Sequence, residues 1–267
     1  MTKATACRAG TLQTHRVDLD HAALLVAGGV GSGLTGSMAG LASLISYPTL
    51  LAVGLPPIAA NVTNSVGLLA SGAGSAAGSR LELRGQGPRI LRQSFFALLG
   101  GVAGAVLLMN TAAEVFERIV PLLIALAAVV LLLRDRLRGW YTRPKARFAQ
   151  PPLGLAVFLI GIYGGYFGAA AGVLMLAVMS MSVVEPLAVT NAVKSVVLCA
   201  ANFAAAALYA VVAPVNWTAA LLLGFGCLIG SWIGPALVRR TPERPLRIVI
   251  AVAALALAGY LWHDATG

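Results

Sequence analysis

The sequence predicts an all-α polytopic membrane protein built from two inverted-topology repeats, and three observations carry that prediction. Of its 267 residues, 59% are hydrophobic and only 10% charged. No charged residue occurs between Asp20 and Arg80. Two glycine clusters match one another position by position. A bilayer core about 30 Å thick takes roughly 20 apolar residues per helix, so so long a charge-free run must enter the membrane more than once.

Taken in order, residues 1–21 carry Lys3, Arg8, Arg16, Asp18 and Asp20 without the apolar core and small-residue cleavage site of a secretory signal, so no cleavage is expected. Eight apolar stretches follow, at 22–55, 58–79, 94–109, 119–133, 153–184, 187–211, 217–238 and 248–262. The first and fifth are too long for one crossing: as continuous helices they would run to roughly 45–50 Å. Each contains a glycine cluster able to break it into a hairpin. Residues 22–133 form the first repeat, 134–152 a basic, proline-containing linker, and 153–262 the second repeat.

The duplication is visible in the letters. Gly29-x-x-Ser32-Gly33-x-x-Gly36-x-x-x-Gly40 matches Gly161-x-x-Gly164-Gly165-x-x-Gly168-x-x-x-Gly172 at an offset of 132. Val62-Thr63-Asn64 then matches Val189-Thr190-Asn191 at an offset of 127, and Gly100-x-x-x-Gly104 matches Gly226-x-x-x-Gly230.

The net charge of +10 sits in three short segments between apolar runs, at 80–92, 134–147 and 239–247. The positive-inside rule assigns all three to the cytoplasm, and nucleic acid is not needed to explain them. If each long stretch is a hairpin returning to its starting side, all three segments fall on one side and both termini on the other. That is the signature of inverted repeats with an odd number of net crossings per half. Eight simple crossings in a parallel arrangement would put 239–247 outside.

Gly31-x-Gly33-x-x-Gly36 spells a dinucleotide fingerprint, but no strand precedes it and no carboxylate follows before Glu82, so the match is rejected. Two readings of the glycines remain open: close helix packing, and unwinding at a substrate site. Broken helices expose backbone N–H groups and half-helix dipoles, which attract anions. Gly36, Gly40, Gly168 and Gly172 are the candidate backbone positions, with the hydroxyls of Thr35 and Ser37 beside them in the first half only.

Lys194 is the only formal charge between Glu185 and Arg239. Intramembrane ionisable residues are costly, so Lys194 is the candidate cation for a small anionic substrate, against the plainer alternative that it snorkels. Thr190 and Asn191 precede it on the same helical face, and Thr63, Asn64 and Ser65 hold the matching place in the first half. Their hydroxyls and amides can donate to oxyanion oxygens or bond between helices. Asn61 and Asn202 fit interhelical bonding better. Glu185 is a weak candidate for coupling transport to protons. Tyr163, Tyr166 and Phe167 could gate a pore but fit aromatic packing better. No metal or other cofactor is expected, and the oligomeric state is left open.

With these residues in view the chain resembles the sulfite exporter TauE/SafE family. The resemblance rests on Gly36-x-x-x-Gly40, then Tyr47-Pro48-x-Leu50, Gly54-Leu55-Pro56-Pro57 and 59–65, with Gly164-Gly165-x-x-Gly168 in the second half. It spans 22–262. It implies export of a sulfur oxyanion such as sulfite, or of sulfoacetate or another sulfonate, across a bacterial inner membrane, driven by an ion gradient. The sequence departs from the family in Ala169-Ala170-Ala171, where further glycines are usual, and in Lys194. An enzyme is disfavoured because the apolar runs hold no His or Asp and only Glu185 at an edge. A passive anion channel, or a permease for another small anion, is the alternative that helix ends and a lysine would also serve.

Overall fold

The computed structural model describes residues 19–141, 153–182, 185–238 and 243–266. Most of the N-terminal segment 1–21, positions 142–152 of the linker and 239–242 of the third basic segment lie outside the described residues. Among those described, every regular element is an α-helix: α1 (Leu19–Ala39), α2 (Ser43–Ala52), α3 (Pro57–Gly78), α4 (Gly87–Met109), α5 (Ala113–Tyr141), α6 (Leu153–Tyr166), α7 (Ala171–Ser182), α8 (Leu187–Val212), α9 (Trp217–Val238) and α10 (Glu243–Thr266). Among the described residues four spans are long and apolar enough to cross a membrane: Gly87–Met109, Ala113–Leu133, Leu187–Val212 and Trp217–Ala236. Large apolar side chains such as Leu91, Phe203, Leu221 and Trp232 stand on the outside. That surface would be costly in water and suits lipid. The chain is a polytopic α-helical membrane protein.

Both overlong stretches break. The first turns at Gly40, with φ +76°, between α1 and α2; the second turns at Gly168, with φ +78°, between α6 and α7. That left-handed conformation suits glycine because it has no Cβ to clash. The short second helix folds back along the first. Ala42 lies against Gly36 and Ser32, Ile45 against Gly31 and Thr49 against Gly28, so α2 runs antiparallel to α1. The two tips meet each other, Gly40 against Gly172.

The remaining stretches each become one helix, with shifted ends. Helix α4 begins at Gly87 rather than 94, and α5 runs on to Tyr141 through the basic positions 134–141. The five helices of each half follow one another in the same pattern. Helices α3 and α8 begin at Pro57 and Leu187, α4 and α9 at Gly87 and Trp217, α5 and α10 at Ala113 and Glu243, each pair 130 residues apart.

The glycine repeats pack helices rather than unwind them at most positions. Gly29 and Gly33 of α1 lie against the backbone of α9 at Leu223, Cys227 and Ser231, and Gly226 and Gly230 of α9 lie against Val26, Val30 and Leu34. Position rises along both helices together, so α1 and α9 are parallel. The same seam recurs between α4 and α6, where Gly100 and Gly104 meet Phe158, Gly161, Ile162 and Tyr166. Small residues every fourth position let two backbones touch. Helix α3 also runs parallel to α9, through Gly67, Gly74 and Gly78 against Ala220, Leu228 and Pro235.

Side-chain bonds define the two ends of this bundle. At one end Arg89 pairs with Glu185 at 2.6 Å, and Gly154 near the start of α6 rests on Phe96 of α4. Gly78 and Pro235 bring the ends of α3 and α9 to this same end. The end of α3, the starts of α4 and α6 and the end of α9 therefore lie together. At the opposite end the N–H of Asn216 donates to the Thr63 hydroxyl at 3.0 Å.

Candidate functional site

A cavity of about 70 Å³ lies where the two hairpin tips face α3 and α8. A single water needs roughly 10–15 Å³ measured this way, so the space takes a few waters or one small oxyanion. Helix α3 contributes Asn64, Ser65, Ser71 and Ser75; α8 contributes Lys194, Ser195, Cys199 and Asn202; the tips contribute Gly36, Gly40, Ser43, Phe167, Gly168 and Gly172.

Lys194 lies about two turns into α8 and is only 1% exposed. A snorkelling lysine would reach an interface; this one bends into the protein, where its Nζ lies 3.4 Å from the carbonyl oxygen of Gly36. A buried ammonium of this kind is held by oxygen acceptors.

The electrostatics of the tips follow from which helix ends are tied. Asn191 donates its amide to the Ser37 carbonyl at 2.6 Å, and Asn61 donates to the Tyr166 carbonyl at 2.8 Å. Those carbonyls belong to the last turns of α1 and α6, the negative ends of their dipoles. The starts of α2 and α7, at Ser43 and Ala171, line the cavity instead. Two positive helix ends and one ammonium therefore face the same small space, and an anion is the charge that space favours.

Of the positions singled out in the sequence, Lys194, Asn64, Ser65, Gly36, Gly40, Gly168 and Gly172 line this cavity together. Asn191, Thr190, Thr63 and Ser37 do not. Asn191 caps α1; Thr190 donates to Glu185 at 2.7 Å; Thr63 accepts from Asn216; Ser37 bonds back to Leu34 on its own helix at 2.9 Å. Thr35 likewise bonds back to Gly31. Glu185 accepts both Arg89 and Thr190. Tyr163 donates to the Ala169 carbonyl and braces the second tip, while Phe167 packs edge-on to Tyr47 and Phe116.

The sequence had not singled out Ser43, Ser71, Ser75 and Ser195. Ser71 and Ser75 share one face of α3 with Leu68 and Gly72, a four-residue spacing that could have flagged them. Asn64 bonds Ser43 at 3.3 Å and leaves its Oδ1 without a partner among the described residues.

The sulfite exporter TauE/SafE profile matches residues 24–261, nearly the whole described fold. The chain belongs to the sulfite exporter TauE/SafE family. Relatives match most of its length. A probable membrane transporter protein, YfcA, of Escherichia coli K12 is 26% identical over 239 residues, covering 88% of this chain and 87% of its own. A probable membrane transporter protein of Haemophilus influenzae is 27% identical over 259 residues, covering 93% and 97%. Another, ORF9 of a Sinorhizobium species, is 27% identical over 240 residues, covering 88% and 90%. No solved structure matches the chain. As a TauE/SafE member with transporter relatives, the protein is a multi-pass membrane transporter, and family and relatives alike carry the names of transporters rather than enzymes.

Proposed function

We propose that the protein is a secondary transporter that exports small sulfur-containing anions, of the sulfite, sulfoacetate or related sulfonate type, by alternating access. The observation that carries this reading is the meeting of Lys194 with the positive ends of α2 and α7 in one small cavity between the hairpin tips. In this reading Lys194 pairs with the anion, the Asn64 amide donates to its oxygens, the Ser65 hydroxyl turns from the Asn61 carbonyl, to which it donates at 3.1 Å, to do the same, and the tip glycines Gly36, Gly40, Gly168 and Gly172 let backbone approach it. Asn191, Thr190, Thr63 and Ser37 hold the frame.

The two halves are proposed as inverted repeats, domains 22–133 and 153–262. The parallel seams α1 with α9 and α4 with α6 support this, because each joins a first helix of one half to a fourth helix of the other. The end of the bundle that gathers the basic segments is proposed as cytoplasmic, with both termini outside. Protons are the proposed coupling ion. Glu185 is the acid that would carry them, since neutralising it would release Arg89 and Thr190.

The test is transport by purified protein in liposomes, with sulfite, sulfoacetate, taurine and sulfate offered to wild type and to Lys194→Ala. Saturable flux of one or two sulfur anions, lost in the variant, is expected. Flux that survives the substitution removes Lys194 from the site; no flux of any of these anions overturns the sulfur-anion assignment.

A further inference from the structure

A second, larger space opens away from the transport cavity, between the early turns of α4 and α6. It has a volume of about 620 Å³ and is lined by Arg92, Gln93, Phe96, Leu99, Leu155 and Phe158 among others. Its polarity is graded. Arg92 and Gln93 stand at the end near the basic segment, and the aromatic and leucine walls follow as α4 descends. Seven residues separate Arg92 from Leu99, about 10 Å of helix. That is the profile of one amphiphile seated at a membrane interface, headgroup first.

Two facts give the polar end a preference. Gln93 is 1% exposed, and neither atom of its amide has a hydrogen-bond partner among the described residues. Buried amides are almost always bonded, and a group seated in the cleft that Gln93 lines can supply an acceptor. The terminal torsion of a glutamine is soft, and a small rotation turns the N–H₂ toward the cleft. Arg92 is exposed at the mouth, and unlike Arg89 it is not held by Glu185. The segment 80–92 carries four arginines against one glutamate. Basic pockets between helices at a membrane face select negatively charged headgroups over zwitterionic ones.

We propose that this cleft binds one anionic phospholipid, its phosphodiester held by Arg92 and Gln93 and one acyl chain lying along Phe96, Leu99, Leu155 and Phe158. The site is independent of the transported anion, and transport activity is not needed to detect it.

The test is native mass spectrometry of the purified protein titrated with phosphatidylglycerol and, separately, phosphatidylcholine. One phosphatidylglycerol per chain should be retained several-fold more strongly than phosphatidylcholine. Arg92→Gln should weaken that retention about fivefold, the effect of one surface arginine. Arg84→Gln removes the same charge outside the cleft lining and should leave retention within twofold. Leu155→Trp, which fills the cleft without touching charge, should lower it as well, and melting in detergent checks that each variant is folded. Equal retention of the two lipids overturns the proposal. So does an equal loss from Arg84→Gln, which would mean diffuse surface charge. A second copy of the chain found on this face in place of lipid overturns it too.

Discussion

Asn61 and Asn191 each commit an amide to the last turn of a helix in the other half, the first to Tyr166 and the second to Ser37. They stand 130 residues apart, as do Asn64 and Lys194. The matched letters Val62-Thr63-Asn64 and Val189-Thr190-Asn191 therefore align at 127 while the roles align at 130. Identity favoured the slip of three because it preserves a helical face to within a turn, and only the capped carbonyl reveals which asparagine is which. The equivalence of Asn64 and Lys194 was invisible for the same reason: an amide and an ammonium share no letter, yet both line the cavity. Removing either cap should leave a buried carbonyl unsatisfied, so Asn61→Leu and Asn191→Leu should each destabilise by about 1–3 kcal/mol in detergent melts. If only one of them does, the two caps are not equivalent. The ion pair at the basic end gives a second test. Arg89→Gln leaves the Glu185 carboxylate with only Thr190 among the described residues and should cost about 2 kcal/mol. Adding Glu185→Gln should restore part of it, and a double variant that sums the two single losses would argue against direct coupling.

At the scale of elements, apolar stretches and helices coincide where composition alone decides. They part where arginines occupy the first turns of α4 and the last turns of α5, since a charged helix end at an interface reads as a loop in hydropathy. The glycine clusters held two functions that spacing could not separate. Gly29, Gly33, Gly100 and Gly226 pack backbone against backbone, while Gly40 and Gly168 turn the chain. The distinction lies in φ and in what faces the missing Cβ, neither of which a sequence records. It is testable helix by helix. At Gly33 a Cβ would run into the carbonyl of Cys227, and at Gly226 into that of Val26, so Gly33→Val and Gly226→Val should each cost about 1–3 kcal/mol or more and lower the yield of monodisperse protein. Gly87 faces open space at a helix start, and Gly87→Ala should be silent in the same size-exclusion and melting assays. A seam substitution that melts like wild type would mean that α1 and α9 do not approach so closely.

For the whole molecule, the proposed inverted arrangement draws on two independent routes, charge pattern and packing. Charge placed three basic segments on one side through the positive-inside rule. Packing brings one helix end beside each segment together through Arg89 with Glu185, Gly154 with Phe96, and Gly78 with Pro235. For both to hold, α2 and α7 must return to the side from which α1 and α6 set out, which the turns at Gly40 and Gly168 allow. Accessibility assigns each end to its face of the membrane. With the native cysteines replaced, Gly85→Cys sits in the loop between α3 and α4, while Thr111→Cys and Pro214→Cys sit in the loops before α5 and α9. An impermeant thiol reagent applied to intact cells should label the latter two and spare Gly85→Cys until the membrane is opened. The reverse pattern would keep the inverted fold and turn it over in the bilayer. Labelling of Thr111→Cys and Pro214→Cys from opposite faces would break the inverted arrangement itself, because α4 and α8 would then end on different sides, and the shared cavity between the hairpin tips would have to be rebuilt from another packing of the same helices.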